Sequence, residues 1–454
     1  MDARTFAESQ RTTFERYLRQ LVEIPTVSAD PARAADMQRC AEAAVAMIEE
    51  LGGHATVWTT EGNPIVFGGF ERDPRLPGIV FYNHLDVQPA DEPEWRYDPF
   101  RLTVEGDRFI GRGATDDKGP AITVLLAGKY AYDRGVPLNI YYLWELEEEI
   151  GSPHFEAALR THRNEVRAQS VFVCDSIWLS RERPSVDYGL RGLQGATLRL
   201  QTADVDAHSG VTGGAAPNPI AELCRILMAC FDPVTGDVHI PGFYDEVVPP
   251  TEEELESFVR SGFSVETFQK TYGFRWLRHT DVKEVLKRIW AWPTFEIHGI
   301  AGGYQGPGIK TIIPHWAEAK VSMRLVPNQD PATIFQRLKT FVQSLNPHVE
   351  VQPEGSLAPY LGEFKGPFAD ALRKAVRTVL GVAPVFIREG GSIGAVVTMQ
   401  QLLGVPITMM GLSLPEHGYH APNEFFDWQQ ARRGIEIFSV YLHEIAQLTV
   451  PTEE

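Results

Sequence analysis

The sequence predicts an α/β protein: a mostly parallel sheet flanked by helices, into which a smaller α+β domain is inserted. Two observations carry this expectation. Up to about residue 190, short apolar runs rich in β-branched and aromatic residues alternate with helical stretches. Beyond that point the order becomes strand, helix, strand, strand, helix, strand, a split-βαβ (ferredoxin-like) pattern, and the first alternation resumes after residue 355.

Taken in order, residues 5–22 and 33–52 read as two amphipathic helices around the IPTVSAD loop, with Phe14, Leu18, Leu21 and Val22 on one face. Gly78–Tyr82, Leu138–Leu143 and Ser170–Cys174 have the length and content of buried strands, with helices at Ala121–Tyr132 and His154–Val166 between them. In the second pattern Leu193–Thr202 reads as a strand and Pro219–Phe231 as a helix. Strands at Thr294–His298 and Ala317–Val326, a helix at Ala332–Leu345 and a strand at Val349–Gln352 follow. An insertion near Asp232–Pro293 opens a helix with Thr251 and Glu254 in capping-box spacing. The chain then returns to a helix at Phe368–Leu380, a strand at Ile407–Gly411 and a terminal helix at Ala431–Leu448. The expected domains are 1–190 with 356–454, and 191–355. The sequence contains no internal repeat or low-complexity tract.

Composition narrows the function classes. The 454 residues carry 42 Lys and Arg against 60 Asp and Glu, a formal charge of −18. Nucleic-acid binding needs clustered cations and is not expected. No apolar run approaches the roughly 18 residues of a membrane span, and the first twenty residues lack the apolar centre of a secretion signal. Cys40, Cys174, Cys224 and Cys230 form no CxxC pair, so a disulfide scaffold is not expected. The expectation is a cytoplasmic protein with no membrane partner.

Reactive side chains gather in the α/β part, beside strand ends, where open α/β sheets place their sites. His84 and Asp86, two apart in an extended segment, share a face; the carboxylate could orient a metal-bound imidazole, or both could serve only their own loop. Asp116 and Asp117 lie in GRGATDDKGP, which could cap a helix or hold a cation; the phosphate-loop order GxxxxGK[ST] is absent. The run Glu145-Leu146-Glu147-Glu148-Glu149 follows an apolar strand. It could be a solvated face, or could divide metal ligation from proton transfer. Asp175 ends another apolar run, as a functional acid or a helix cap, and the loop Glu416–Glu424 carries His417 and His420. Together these supply mixed imidazole and carboxylate donors, a set suited to Zn²⁺ or Mn²⁺.

The strings HLDVQP, GRGATDDKGP, EExGS at Glu148–Ser152, the strand-end Asp175 and YHAPNE stand in the order and at about the separations of the co-catalytic metallopeptidases. That family contains carnosinase-like dipeptidases, glutamate carboxypeptidase, aminoacylase and succinyl-diaminopimelate desuccinylase. The chain resembles its dipeptidase branch most, through YGLRG, HSGVTGG, GIKTIIP, MRLVPN and REGGSI. The resemblance implies a zinc-peptidase-like catalytic domain with a lid and dimerisation domain, a homodimer through that lid, and two divalent ions per subunit. Zn²⁺ is the first expectation, with Mn²⁺ or Co²⁺ as alternatives. It implies that His84 and Asp175 hold one ion, Glu149 and His420 the other, and Asp116 both. Asp86 would orient His84, and Glu148 would be the general base acting on a metal-bridging water. His208 would meet the oxyanion, reaching in from the partner subunit; Arg324 would grip the substrate carboxylate, and Thr311 and Ser392 would contact substrate. His417 receives no role beyond structure.

The implied activity is hydrolysis of the amide bond of dipeptides or short peptides next to a free carboxylate. The alternatives are an N-acyl or N-carbamoyl amino acid amidohydrolase, or a non-catalytic metal-binding or interaction protein. Carnosinase-like members carry a further histidine late in the lid. The only histidine between Arg324 and Glu389 is His348, in the different context NPHVEV, so carnosine-like specificity is not expected. An aspartate at position 175 matches the dipeptidase and aminopeptidase branch.

Overall fold

The computed structural model describes residues 1–391 and 393–448. The chain divides into two compact units. The first comprises Met1–Tyr188, Gly362–Ile387 and Ile393–Glu454; the second comprises Gly189–Leu361 and Arg388–Ser392.

In the first unit four parallel strands form the middle of the sheet, in the order Asn139–Glu145, Gly78–His84, Ser170–Val173, Ile407–Met409. Antiparallel strands extend it: Ile65–Phe70 and His54–Trp58 on one side, Ser185–Leu190 on the other. Every residue of Gly78–His84 and of Asn139–Glu145 is buried, as expected for parallel strands covered on both faces. The terminal helix Trp428–Leu448 packs on Gly119–Asp133 and on Pro367–Leu380. Gly434 permits the approach to Gly119–Asp133: a Cβ there would lie 2.7 Å from Thr123 Cγ2.

Two helices differ from their expected extents. The stretch read as one helix over 5–22 is two, Ala3–Ser9 and Arg11–Val22, because Ser9 Oγ turns back onto the Phe6 carbonyl and competes with the helical ladder. The helix expected over His154–Val166 is confined to Phe155–Thr161, before the poor helix formers His162 and Asn164.

The second unit contains a four-stranded antiparallel sheet, in the order Thr294–Gly302, Trp316–Leu325, Gly192–Gln201, Glu350–Leu357. Ala196, Leu198 and Leu200 point inward, alternating with Thr197, Arg199 and Gln201. The helices Pro219–Cys230 and Pro331–Leu345 cover the inward face with Leu223, Ile226, Leu227, Ile334 and Leu338. Within the insertion, helix Glu252–Arg260 begins on a complete capping box between Thr251 and Glu254.

Candidate metal centre

The parallel strands of the first unit end together. His84 is the last residue of its strand; Glu148 and Glu149 lie in the turn after Glu145, and Asp175 lies two residues past Val173. The loop into helix Gly119–Asp133 brings Asp116 and Asp117 to the same place, across a cis peptide bond. That loop turns at Gly113, which has φ +84°; a Cβ there would stand 2.6 Å from Val87 Cγ1. His420 comes from the loop after Pro415–His417 and itself sits at φ +56°, a conformation that a non-glycine residue keeps only where its surroundings enforce it.

Asp116 stands between the two imidazoles. Its Oδ1 lies 3.0 Å from His84 Nε2, and its Oδ2 lies 3.0 Å from His420 Nε2. His84 Nε2 also faces Asp175 Oδ2 at 3.8 Å, and His420 Nε2 faces Glu149 Oε2 at 3.3 Å. The result is two donor triads, His84–Asp116–Asp175 and His420–Asp116–Glu149, sharing one carboxylate. Donors about 2.0–2.2 Å from one tetrahedral ion stand roughly 3.3–3.6 Å apart, close to these imidazole–carboxylate distances, and His84, Asp116 and Glu149 present donor atoms within 4.8 Å of one another. Asp117 lies close as well: His84, Asp117 and Asp175 present donor atoms within 4.8 Å of one another. One Asp117 oxygen accepts from Asn83 Nδ2 at 2.6 Å, whereas its buried Oδ1 has no hydrogen-bond partner among the described residues.

The electrostatics point the same way. Burial, with little water to screen it, pushes Glu148 well up from the carboxylate range, with Asp175, Glu149 and Asp86 adding to the shift against His84. Burial likewise raises Asp175 to about 6. Burial opposes ionisation of Asp116, but hydrogen bonds from His420 and His84 outweigh it and hold Asp116 below its ordinary range. His420 is driven up to about 10, first by Asp116 and then by Glu149. Buried carboxylates gathered around two imidazoles make a site that favours positive charge.

Asp86 organises the rim. Its Oδ1 lies 3.4 Å from His84 Nδ1, and its two oxygens accept the backbone N–H groups of Glu148 (3.2 Å) and Glu149 (3.1 Å). Gln88 Nε2 donates to Glu149 Oε2 at 2.7 Å. The Asp86 carbonyl, 3.1 Å from His84 Nδ1, shares in holding the histidine, while the carboxylate holds the glutamate turn.

Residues 80–444 match the family described as Peptidase family M20/M25/M40. The chain is 32% identical, over 97% of its own length and 97% of the relative's, to the Cys-Gly metallodipeptidase dug1 of Schizosaccharomyces pombe. The chain belongs to peptidase family M20/M25/M40. Among solved structures it resembles human carnosine dipeptidase 1, with a TM-score of 0.82 at 27% identity and 98% of each chain covered. It also resembles the M20 family metallo-carboxypeptidase Sso-CP2 of Sulfolobus solfataricus, with a TM-score of 0.86 at 30% identity, covering 95% of this chain and 99% of the other. These relatives place this M20 enzyme on the metallodipeptidase branch, and the family implies divalent metal ions.

The remaining expected site residues of this M20 peptidase belong to the second unit. His208 and Thr311 lie on one short ladder: His208 pairs with Ile312, and Ser209 N–H donates to the Thr311 carbonyl at 3.0 Å. His208 Nδ1 accepts from Gly210 N–H at 3.0 Å, leaving the exposed ring free at Nε2 among the described residues. Arg324 stands on the interior strand Trp316–Leu325, opposite Thr294 and Leu193, and is half-buried. Arg191 lies near enough that burial, followed by the Arg324 charge, lowers its guanidinium to about 10. Ser392 lies outside the described residues.

Residues not singled out from sequence hold the loop of Asp116. The fully buried Glu424 accepts backbone N–H groups from Gly113, Thr115 and Asp116, and pairs with Arg112 Nη1 at 3.0 Å. Tyr419 OH donates to Asp175 Oδ1 at 2.8 Å. His417 Nδ1 accepts from Leu414 N–H, which places the ring proton on Nε2, facing Asp427 at 3.1 Å. Thr115 Oγ1 lies 2.9 Å from the same Nδ1. Tyr419 and Glu424 are the first and last residues of the YHAPNE string, but their partners lie hundreds of positions away.

Among the described residues no helix is long and apolar enough to cross a membrane.

Proposed function

We propose that this chain is a dinuclear metal-dependent dipeptidase that hydrolyses the amide bond next to a free carboxylate in dipeptides or short peptides. The observation that carries this reading is Asp116 presenting one oxygen to each of two imidazoles, with Asp175 and Glu149 completing the two triads. His84 and Asp175 would hold one ion, His420 and Glu149 the other, and Asp116 both. Zn²⁺ is the assigned metal, with Mn²⁺ or Co²⁺ as alternatives, since imidazole and carboxylate donors suit all three. When bound, such a pair of cations polarises a carbonyl and makes water acidic near neutral pH.

The protein's own groups supply the rest. Asp86 orients His84 and holds the turn that carries Glu148 and Glu149. Glu148, adjacent to a ligand and not needed as one, takes a proton from the attacking water and returns it to the leaving amine. Arg324 offers a planar fork to the substrate's terminal carboxylate. Thr311 and Ser392 would line the substrate's path. His208, with an exposed imidazole, stabilises the oxyanion and would do so across the interface of a homodimer formed through the second unit. The compartment we assign is the cytoplasm, a reading supported by four cysteines that are all free.

The test is purified protein loaded with Zn²⁺ or Mn²⁺ and offered Cys-Gly and other dipeptides beside N-acetyl and N-carbamoyl amino acids. Preferential turnover of dipeptides is the expected result. Preference for the acylated amino acids would favour the amidohydrolase reading, and a metal-loaded but inert protein would favour a non-catalytic one.

A further inference from the structure

A second concave site lies in the first unit, built from segments that the metal centre does not use. It is a cavity of about 370 Å³, within the roughly 300–1,000 Å³ of small-molecule sites. Four arginines line it: Arg4 from the first helix, Arg181 from the loop after Trp178, and Arg432 and Arg433 from the terminal helix. Two glutamates, Glu182 and Glu436, also line it, and Glu8, Glu416 and Asp427 lie against three of its arginines.

The arginines are unequally committed. Arg181 is bound to Asp427 at 2.6 Å and to Glu416 at 3.2 Å. Arg4 pairs with Glu8 at 3.2 Å, and Arg432 reaches Glu8 and Glu436 only at 3.7 and 3.9 Å. Arg433, partly buried, makes no hydrogen bond or ion pair among the described residues. Burial first, and then the like charges of Arg181 and Arg432, disfavour its cationic form, against the weaker pull of Asp427 and Glu182. A guanidinium held next to others of its kind, with its fork unfilled, is a receptor for a doubly charged oxyanion, which can accept from several forks at once. Val379, Leu380 and Val382 give the lining an aliphatic part.

We propose that this cavity is a binding site for a phosphate dianion, free or as the monoester of a small organic body, with Arg433 and Arg432 as its principal ligands and the aliphatic part of the lining facing the body. The site shares Arg181 with the buried chain Arg181–Asp427–His417–Thr115 that reaches the loop of Asp116.

The experiment is calorimetric titration of the metal-loaded enzyme at fixed ionic strength with inorganic phosphate, glycerol 3-phosphate and glycerol. Saturable binding of phosphate alone identifies the free ion as the occupant. Binding of glycerol 3-phosphate as well identifies the monoester class, and glycerol is expected to give no heat. Arg433→Gln is expected to weaken binding at least ~10-fold, the cost of losing about 1.4 kcal/mol of charge-assisted hydrogen bonding. Glu182→Gln, which removes a lining negative charge, is expected to tighten it, a change that misfolding cannot imitate. No saturable binding, or a dissociation constant unchanged by both substitutions as it would be for phosphate captured at the metal centre, would overturn the proposal.

Discussion

Asp86 and Glu148 show how much one side chain can be asked to do. Asp86 accepts two backbone N–H groups of the glutamate turn beside the histidine strand, so on the proposed assignment it would position a ligand and a proton carrier at once. Glu148→Gln keeps the size of that side chain and would remove the proposed proton shuttle. It should lower kcat roughly 100- to 10,000-fold while leaving metal content unchanged, measured by steady-state kinetics beside elemental analysis. Glu424 makes a sharper structural expectation. Burial raises Glu424 to about 7 against the pull of Arg112, and Glu92 also lies 3.9 Å from Arg112, so Glu424→Gln should cost about 1–3 kcal/mol in urea unfolding. His84, Asp116, Glu149, Asp175 and His420 were legible in the sequence because each sits in a short ordered string beside an apolar run. Glu424 was not, because its meaning lies in the contact with Gly113, Thr115 and Asp116, which only the fold creates.

At the scale of elements, the apolar runs fixed the central strands closely, since strands buried on both faces carry a continuous signal. Helix ends were less legible. The terminal helix begins at Trp428 and not at Ala431, because Asp427 accepts the Gln430 N–H at 2.8 Å and caps it while also serving His417 and Arg181. The Asp-x-x-Gln spacing was the available signal. Burial opposes ionisation of Asp427, yet the hydrogen bonds from His417, Arg181 and Gln430 prevail and hold it below the ordinary aspartate range. Its folded-state affinity for protons is therefore lower than in the unfolded chain. The stability it contributes is present above about pH 4 and is lost as pH falls further. Asp427→Ala should thus flatten the acid limb of a pH-stability curve followed by circular dichroism, and an unchanged limb would contradict that reading. In the second unit the Thr251 cap was legible from its spacing with Glu254. Thr251→Ala should cost about 1 kcal/mol, measured by chemical denaturation.

At the scale of the molecule, alternation of strands and helices, a change of pattern and its return were enough to read an α/β framework interrupted by a second fold. The change of pattern was visible because an antiparallel sheet with one covered face writes period two, as in Ala196–Gln201, where parallel strands write apolar runs. The acidic excess of the sequence also acquires a partial destination, since Asp86, Asp116, Asp117, Glu149 and Asp175 converge at one set of strand ends. Bringing those charges together opposes folding unless cations are bound. Chelation should therefore lower the melting temperature, a ligand held at 1,000 times its dissociation constant being worth about 4 kcal/mol. The account's central claim is that Asp116 serves two ions. Elemental analysis of dialysed protein tests it most directly: two equivalents of divalent metal per chain are expected for the wild type and no more than one for Asp116→Ala. Two equivalents retained by Asp116→Ala, or a single equivalent in the wild type, would contradict it.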